Sequence, residues 1–85
     1  MAQESDSLEK VEEAALVRKA VARLSQDRQQ LLLLKFGQEL SHAEIGQIMG
    51  RSEGAVKALL HRTLRALKEE LQDINADATE REKAS

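Results

Sequence analysis

The stretch SHAEIGQIMGRSEGAVKALLHRTLRAL, residues 41 to 67, decides how this sequence folds. It opens with a capping box, because the Ser41 side chain can accept a backbone N–H while Glu44, three residues later, can accept the Ser41 N–H. A short helix is predicted to follow and to end at Gly50, since glycine adopts the left-handed conformation that closes helices. A longer helix is predicted to begin after Ser52, which is a favourable N-cap.

Apolar residues recur at helical spacing along most of the chain, and neither a strand pattern nor an internal repeat is present. Four helices are predicted, at about residues 8–24, 26–36, 42–49 and 53–72. The predicted fold is all-α, a small four-helix domain ending in a helix-turn-helix (about 41–62) with a long recognition helix. The domain is expected to span residues 8–72, between a disordered or linker segment (1–7) and a polar, disordered tail (73–85).

The long helix is predicted to bury one sector of its surface. At about 100° per residue, that sector contains Val56, Leu60, Thr63, Leu64, Leu67, Leu71 and Ile74. Leu59 falls about 95° from the centre of the sector and is therefore predicted to lie outside the core. A neighbouring stripe carries Lys57, His61, Arg65 and Lys68.

The composition argues against several classes of protein. The 85 residues include no Cys, and the two histidines lie 19 positions apart, so no metal site is expected. The longest apolar run, residues 31–34, is far shorter than the roughly 20 residues of a membrane span. The first ten residues also lack the basic start and apolar core of a signal peptide, so a cytoplasmic location is expected. No nucleophile–base pair or phosphate loop is visible, so we expect neither an enzyme nor a bound cofactor.

Charge is distributed unevenly along the chain, whose net charge is −2. Residues 1–15 carry one basic and five acidic side chains, and residues 69–85 carry two basic and six acidic ones. The middle, residues 16–68, carries ten basic and four acidic side chains. Since charges act over a Debye length of about 8 Å, a DNA duplex at the middle would experience a basic surface.

A helix-turn-helix with a basic second helix fits this pattern, and an ordinary helical hairpin with a solvated charged face fits the periodicity about equally well. The residues themselves distinguish the two, because residues 22–71 resemble region 4 of bacterial sigma-70-class sigma factors, most closely those of the extracytoplasmic-function group. The matching residues are Leu32 to Phe36, Leu40, Ser41, Glu44, Ile45, Met49, Gly50, Ser52, Gly54, Val56, Lys57, Leu60, His61, Arg62 and Leu67.

The sequence departs from the family at several positions. Gly46 stands where the family usually has Ala, which weakens the third helix by roughly 0.5–1 kcal/mol. Thr63 replaces a common Ala, and Ala58 and Leu59 stand where many members carry Ser and Arg. Leu64 stands where many members carry a basic residue, which its place in the predicted core sector would explain.

The resemblance implies that the recognition helix binds the −35 element of double-stranded promoter DNA and that the domain docks on the β flap of the RNA polymerase core. Nothing in the sequence matches sigma region 2, so a C-terminal domain separated from a longer factor is favoured over a freestanding protein. The alternative function is a protein-interaction module whose main partner is an anti-sigma factor or another regulator.

Ten residues are predicted to contact DNA: Arg51, Ser52, Glu53, Ala55, Lys57, Ala58, Leu59, His61, Arg62 and Arg65. The cations suit phosphates or bases, and Glu53 can either accept from cytosine N4 or interact with the helix dipole. Ala55, Ala58 and Leu59 can touch a thymine methyl, and Leu59 can instead pack against a partner protein or another part of this chain.

Overall fold

The computed structural model describes the backbone of residues 2–84 and the side chains of residues 12–76. Its helices are α1 (Ala2–Ala22), α2 (Gln26–Leu32), α3 (His42–Met49) and α4 (Glu53–Ala84), and α2 continues into a π-helical turn, Leu33–Gly37. No strand occurs in the described backbone. The prediction of an all-α domain with four helices is confirmed.

Side-chain caps set the helix starts where the sequence predicts them. The Ser41 hydroxyl accepts the Glu44 backbone N–H at 3.1 Å, and the Ser41 N–H donates to Glu44 Oε1 at 3.0 Å. The Ser52 hydroxyl accepts the Ala55 N–H at 3.1 Å at the start of α4. Gly50 ends α3 with a φ of 66°, the left-handed conformation for which glycine is suited.

Three helix ends differ from the prediction. The helix α1 begins at Ala2 instead of residue 8, and α4 continues to Ala84 instead of ending near residue 72. Gly37, predicted to be a left-handed cap, belongs to the π-helical turn, and Glu39 takes the left-handed φ of 56°. The side chains of the predicted linker (1–7) and most of the predicted tail (73–85) lie outside the described residues, so that division of the chain stays a prediction.

The central core joins α2, its π-helical turn, α3 and α4. It consists of Leu31, Leu34, Ile45, Val56 and Leu59, with Leu40, Met49 and Leu60 packed against it. This core holds α3 and α4 together as a helix-turn-helix on the support of α2.

The buried face of α4 is rotated by about 50° from the predicted sector, on the basis of 100° per residue. Leu59 is buried at 8% exposure, while Leu64 is 42% exposed. The prediction that Leu59 lies outside the core is therefore wrong, as is the placement of Leu64 within it. Leu67 and Leu71 were predicted core residues and are only half-buried.

Further buried residues lie where α1 packs against α4, outside the central core. Ala20, Leu24 and Ile74 are buried outside the central core, and α1 packs against α4. Arg23, the residue that follows α1, also pairs with Glu70 of α4 at 3.4 Å. Burial of Ile74 therefore stabilises α4 beyond its predicted end near residue 72. In the described part of the chain, no helix combines the length and apolarity required to traverse a bilayer.

Candidate nucleic-acid interface

The exposed face of α4 and the turn before it contain most of the ten predicted contact residues. The exposed ones are Arg51, Ser52, Glu53, Lys57, Ala58, His61, Arg62 and Arg65. Ala55 is half-buried and Leu59 is buried. We call the exposed side of α4 formed by residues 57, 58, 61, 62 and 65 the basic face.

The first turn of α4 presents backbone donors as well as side chains. An α-helix leaves its first four N–H groups without intrahelical partners, and Ser52 satisfies one of them, the N–H of Ala55. The remaining N–H groups and the positive end of the helix dipole favour an anion such as a phosphate. Glu53, exposed in the same turn, lies where the dipole favours a carboxylate.

The basic face carries cations available to an external ligand. No hydrogen bond or ion pair links Lys57 or Arg62 to any other residue with a described side chain. His61 Nε2 and an Arg65 guanidinium nitrogen lie 3.4 Å apart, one helical turn from each other. Lys57 and Arg65 are separated by about 12 Å along the helix axis, which is also about the width of the major groove of DNA.

Arg51 differs from these cations because its charge is already paired. Its Nη2 lies 2.7 Å from Oδ2 of Asp27 in the first turn of α2. Asp27 also lies where the dipole of its own helix favours a carboxylate. The two residues are 24 positions apart, so no local sequence pattern indicates this pair.

Leu59 cannot serve as a base contact. Its side chain lies in the central core, and its backbone carbonyl accepts the hydroxyl proton of the buried Thr63 at 2.7 Å. The predicted contact of Leu59 with a thymine methyl is corrected, because a side chain packed inside its own domain cannot reach the major groove. Of the three explanations offered for Leu59, packing against another part of this chain is the one that its burial supports.

A second surface feature lies on α1, α2 and the π-helical turn that continues α2. An open groove of about 490 Å³ is lined by Val21, Gln26, Gln29, Gln30 and Leu33. Gln29 also fixes the corner between these helices, since its side-chain amide donates to the Leu24 carbonyl at 2.9 Å. Leu33 is 61% exposed and Phe36, one turn further along, is 59% exposed.

The sequence pattern does not predict this groove. A run of four leucines on one short helix predicts burial on several sides, and three of the four are buried. Leu33 is the exception because consecutive residues point in directions about 100° apart, so one of four must leave the core. Within the described side chains, no group of three or more potential metal ligands occurs.

The chain is similar in sequence to known proteins. The family described as "Sigma-70, region 4" matches residues 14–67. The ECF RNA polymerase sigma factor BldN of Streptomyces coelicolor is 43% identical over 70 residues, which is 82% of this chain and 26% of that protein. The RNA polymerase sigma-E factor of Streptomyces antibioticus is 37% identical over 79 residues, 91% of this chain and 44% of that protein.

The chain therefore spans less than half the length of these two relatives. The matched family segment contains α2, α3, the turn and the whole basic face of α4. The chain belongs to the region 4 family of sigma-70-class RNA polymerase sigma factors.

Proposed function

We propose that this chain is the C-terminal, promoter-reading domain of a bacterial sigma factor. It binds the −35 element of double-stranded promoter DNA and docks on the β flap of RNA polymerase, directing transcription initiation. The observation that supports DNA binding most strongly is the basic face of α4, whose Lys57 and Arg62 are exposed and have no described partner. Its role is binding without catalysis, in the cytoplasm.

The residues of the basic face divide into two roles. Lys57, Arg62 and Arg65 neutralise phosphates or donate hydrogen bonds to guanine. His61, which lies beside them, contacts a phosphate or a base. Ala58 is exposed and small enough to meet a thymine methyl.

The turn and first residues of α4 complete the DNA surface. Ser52 combines capping with a phosphate contact, and Glu53 accepts from cytosine N4. Ala55 is half-buried and offers only its methyl group to a thymine.

Docking on the β flap uses a different surface. The groove on α1 and α2 is partly apolar. The exposed Leu33 lines it, and the exposed Phe36 lies outside it, three residues further along the chain. None of its lining residues belongs to α3 or α4, so the groove and the basic face are formed by different helices. Polymerase and DNA can therefore be bound at the same time.

The proposal is tested by selecting duplexes from a random pool and measuring their affinity for the full chain at several salt concentrations. Each phosphate contact contributes about 0.9 to the slope of log affinity against log salt concentration. Lys57→Ala and Arg62→Ala are each expected to lower affinity and to reduce the slope by about 0.9. Lys19→Ala, an exposed lysine on α1, is the matched control and is expected to leave both unchanged.

Unchanged affinity in folded Lys57→Ala and Arg62→Ala variants would remove both residues from the interface. Absence of both sequence preference and salt dependence in the wild-type chain, together with tight binding to a co-purifying protein, would support the alternative of an interaction module for an anti-sigma factor. Leu59 no longer favours that alternative, because it is buried in the chain's own core.

A further inference from the structure

Arg51 is fixed in place by contacts at three of its groups. Its guanidinium pairs with Asp27 at 2.7 Å, and its backbone N–H donates to the Gly46 carbonyl at 2.9 Å. Its own carbonyl oxygen approaches Gly46 so closely that a Cβ there would lie 2.5 Å from it. The residue that follows, Ser52, caps α4. Arg51 therefore connects α2, α3 and the start of the recognition helix.

The side chain of Arg51 is also placed differently from the cations of the basic face. Lys57 and Arg62 have no described partner, whereas Arg51 makes a short, charge-assisted hydrogen bond to a carboxylate. The pair is partly exposed, with 38% of the Arg51 side chain and 60% of the Asp27 side chain accessible. Exposed ion pairs contribute little to overall stability, so its main effect is on local geometry.

We propose that Arg51 is a positioning residue and not a DNA contact: its ion pair with Asp27 fixes the turn, and so fixes the angle at which α4 meets DNA. This inference rests on the proposed DNA-binding function. Gly46 belongs to the same arrangement, since the absence of a Cβ lets the Arg51 carbonyl pass against α3. Asp27, on the supporting helix, thereby acts on promoter recognition without touching the promoter.

The test compares Asp27→Ala, Arg51→Ala, the double variant, and a charge-swapped chain carrying Asp27→Arg with Arg51→Asp. Each is measured against the selected duplex and a scrambled duplex at several salt concentrations. Each single change is expected to lower the preference for the selected duplex by about three- to five-fold, the size that an exposed ion pair supports. The double variant is expected to lose no more than either single one, and the charge swap to recover most of the preference.

The salt slope separates positioning from a direct contact. Arg51→Ala is expected to keep the wild-type slope, whereas Lys57→Ala loses about 0.9 of it. Thermal melting shows which variants are folded. If Asp27→Ala does not fold, it is replaced by Asp27→Asn, which removes the charge but keeps a polar group.

A loss of about 0.9 in the slope of Arg51→Ala, with Asp27→Ala unaffected or tighter, would make Arg51 a phosphate ligand and overturn this inference alone. Additive single effects, or no recovery in the charge swap, would also overturn it. A wild-type chain that binds no duplex in a salt-dependent way would overturn the proposed function and this inference together.

Discussion

Leu59 and Leu64 lie five positions apart on α4, and they differ sharply in burial. Leu59 contacts the central core at 8% exposure, and Leu64 is 42% exposed. The two residues have the same side chain and lie in the same helix. They therefore form a matched pair for measuring how much burial in the core contributes to the free energy of unfolding.

Leu59→Ala is expected to lower the free energy of unfolding by about 2–5 kcal/mol, because it removes buried methyl groups and leaves a cavity. Leu64→Ala is expected to change it by less than about 0.5 kcal/mol, as for most surface substitutions. Urea unfolding followed by circular dichroism measures both. If Leu59→Ala does not fold, Leu59→Met, which conserves volume, should cost less than about 1.5 kcal/mol. Equal losses in the two alanine variants would contradict the burial of Leu59.

At the scale of single elements, the capping box of α3 couples the helix to pH. The Ser41 backbone N–H and, to a lesser degree, the Ser41 side chain lower the pKa of Glu44 from its ordinary 4.5. The ionised carboxylate is the form that accepts these hydrogen bonds best. Its contribution to stability is therefore fully present above pH 4.5 and is lost as the pH falls through the lowered pKa.

Glu44→Gln provides the comparison, because glutamine can still accept the Ser41 N–H but does not titrate. The melting temperature of the wild-type chain should exceed that of Glu44→Gln by a constant amount near neutral pH. The difference should shrink as the pH falls below 4.5, because only the wild-type chain then loses its charged acceptor. A difference that stays constant down to strongly acidic pH would show that the capping box does not favour the charged form.

The two glycines near the turn of the helix-turn-helix, Gly46 and Gly54, differ in the space available for a side chain. A Cβ at Gly46 would lie 2.5 Å from the Arg51 carbonyl oxygen, whereas a Cβ at Gly54 has no atom within 4 Å. Helix propensity alone favours alanine over glycine at both positions.

Gly46→Ala is expected to destabilise the domain despite its better helix propensity, since the backbone of the turn must move to admit the methyl group. Gly54→Ala, in the first turn of α4, should instead stabilise it by up to about 1 kcal/mol. Thermal or urea unfolding of both variants gives the comparison. Stabilisation by both substitutions would show that the turn relaxes easily around residue 46.

These elements also mark how far the sequence could predict the molecule. The caps at Ser41, Gly50 and Ser52 are local, because each cap and its partner lie within four residues, and all three were predicted. The buried face of α4 was misplaced by about 50°, since an apolar residue such as Leu64 looks the same whether or not another helix covers it. Contacts between distant segments, such as that of Arg51 with Asp27, produce no periodic pattern in the sequence and could not be predicted from it.

The candidate interface divides in the same way. The exposed cations of the basic face follow from helical periodicity and from the family resemblance, so their exposure could be predicted from sequence. The burial of Leu59 and the paired state of Arg51 could not, because both depend on how α2 packs beside α3 and α4. The role of Gly46 also needed the structure, since the sequence indicated only a weaker helix there.

At the scale of the whole molecule, the proposed function assigns DNA binding and polymerase docking to two surfaces on different helices. The basic face is formed by α4, and the groove with Leu33 is formed by α1 and α2. Ile48, on α3, is another exposed apolar side chain, at 53% exposure compared with 61% for Leu33. It lies outside the groove and serves as a control for Leu33.

Leu33→Ala is expected to weaken binding to a bacterial core RNA polymerase by roughly tenfold, about 1.4 kcal/mol, since it removes an exposed apolar anchor from the proposed flap-docking groove. Affinity for the selected DNA duplex and thermal stability should stay at wild-type values. Ile48→Ala should leave all three unchanged, and Lys57→Ala should affect DNA binding alone. Polymerase binding that survives Leu33→Ala but fails in Ile48→Ala would place the docking surface on α3.

Phe36, exposed one turn beyond Leu33, also determines how this molecule can be observed. The chain has no Trp and no Tyr, so Phe36 is its one aromatic side chain and the protein is nearly dark in near-ultraviolet absorbance and fluorescence. A tryptophan introduced by Phe36→Trp would be the only tryptophan of the chain, and it would lie beside the proposed polymerase-docking groove. Its fluorescence could therefore be measured without a contribution from other tryptophans or tyrosines. The wavelength and intensity of its fluorescence would report binding of the polymerase flap separately from binding of DNA.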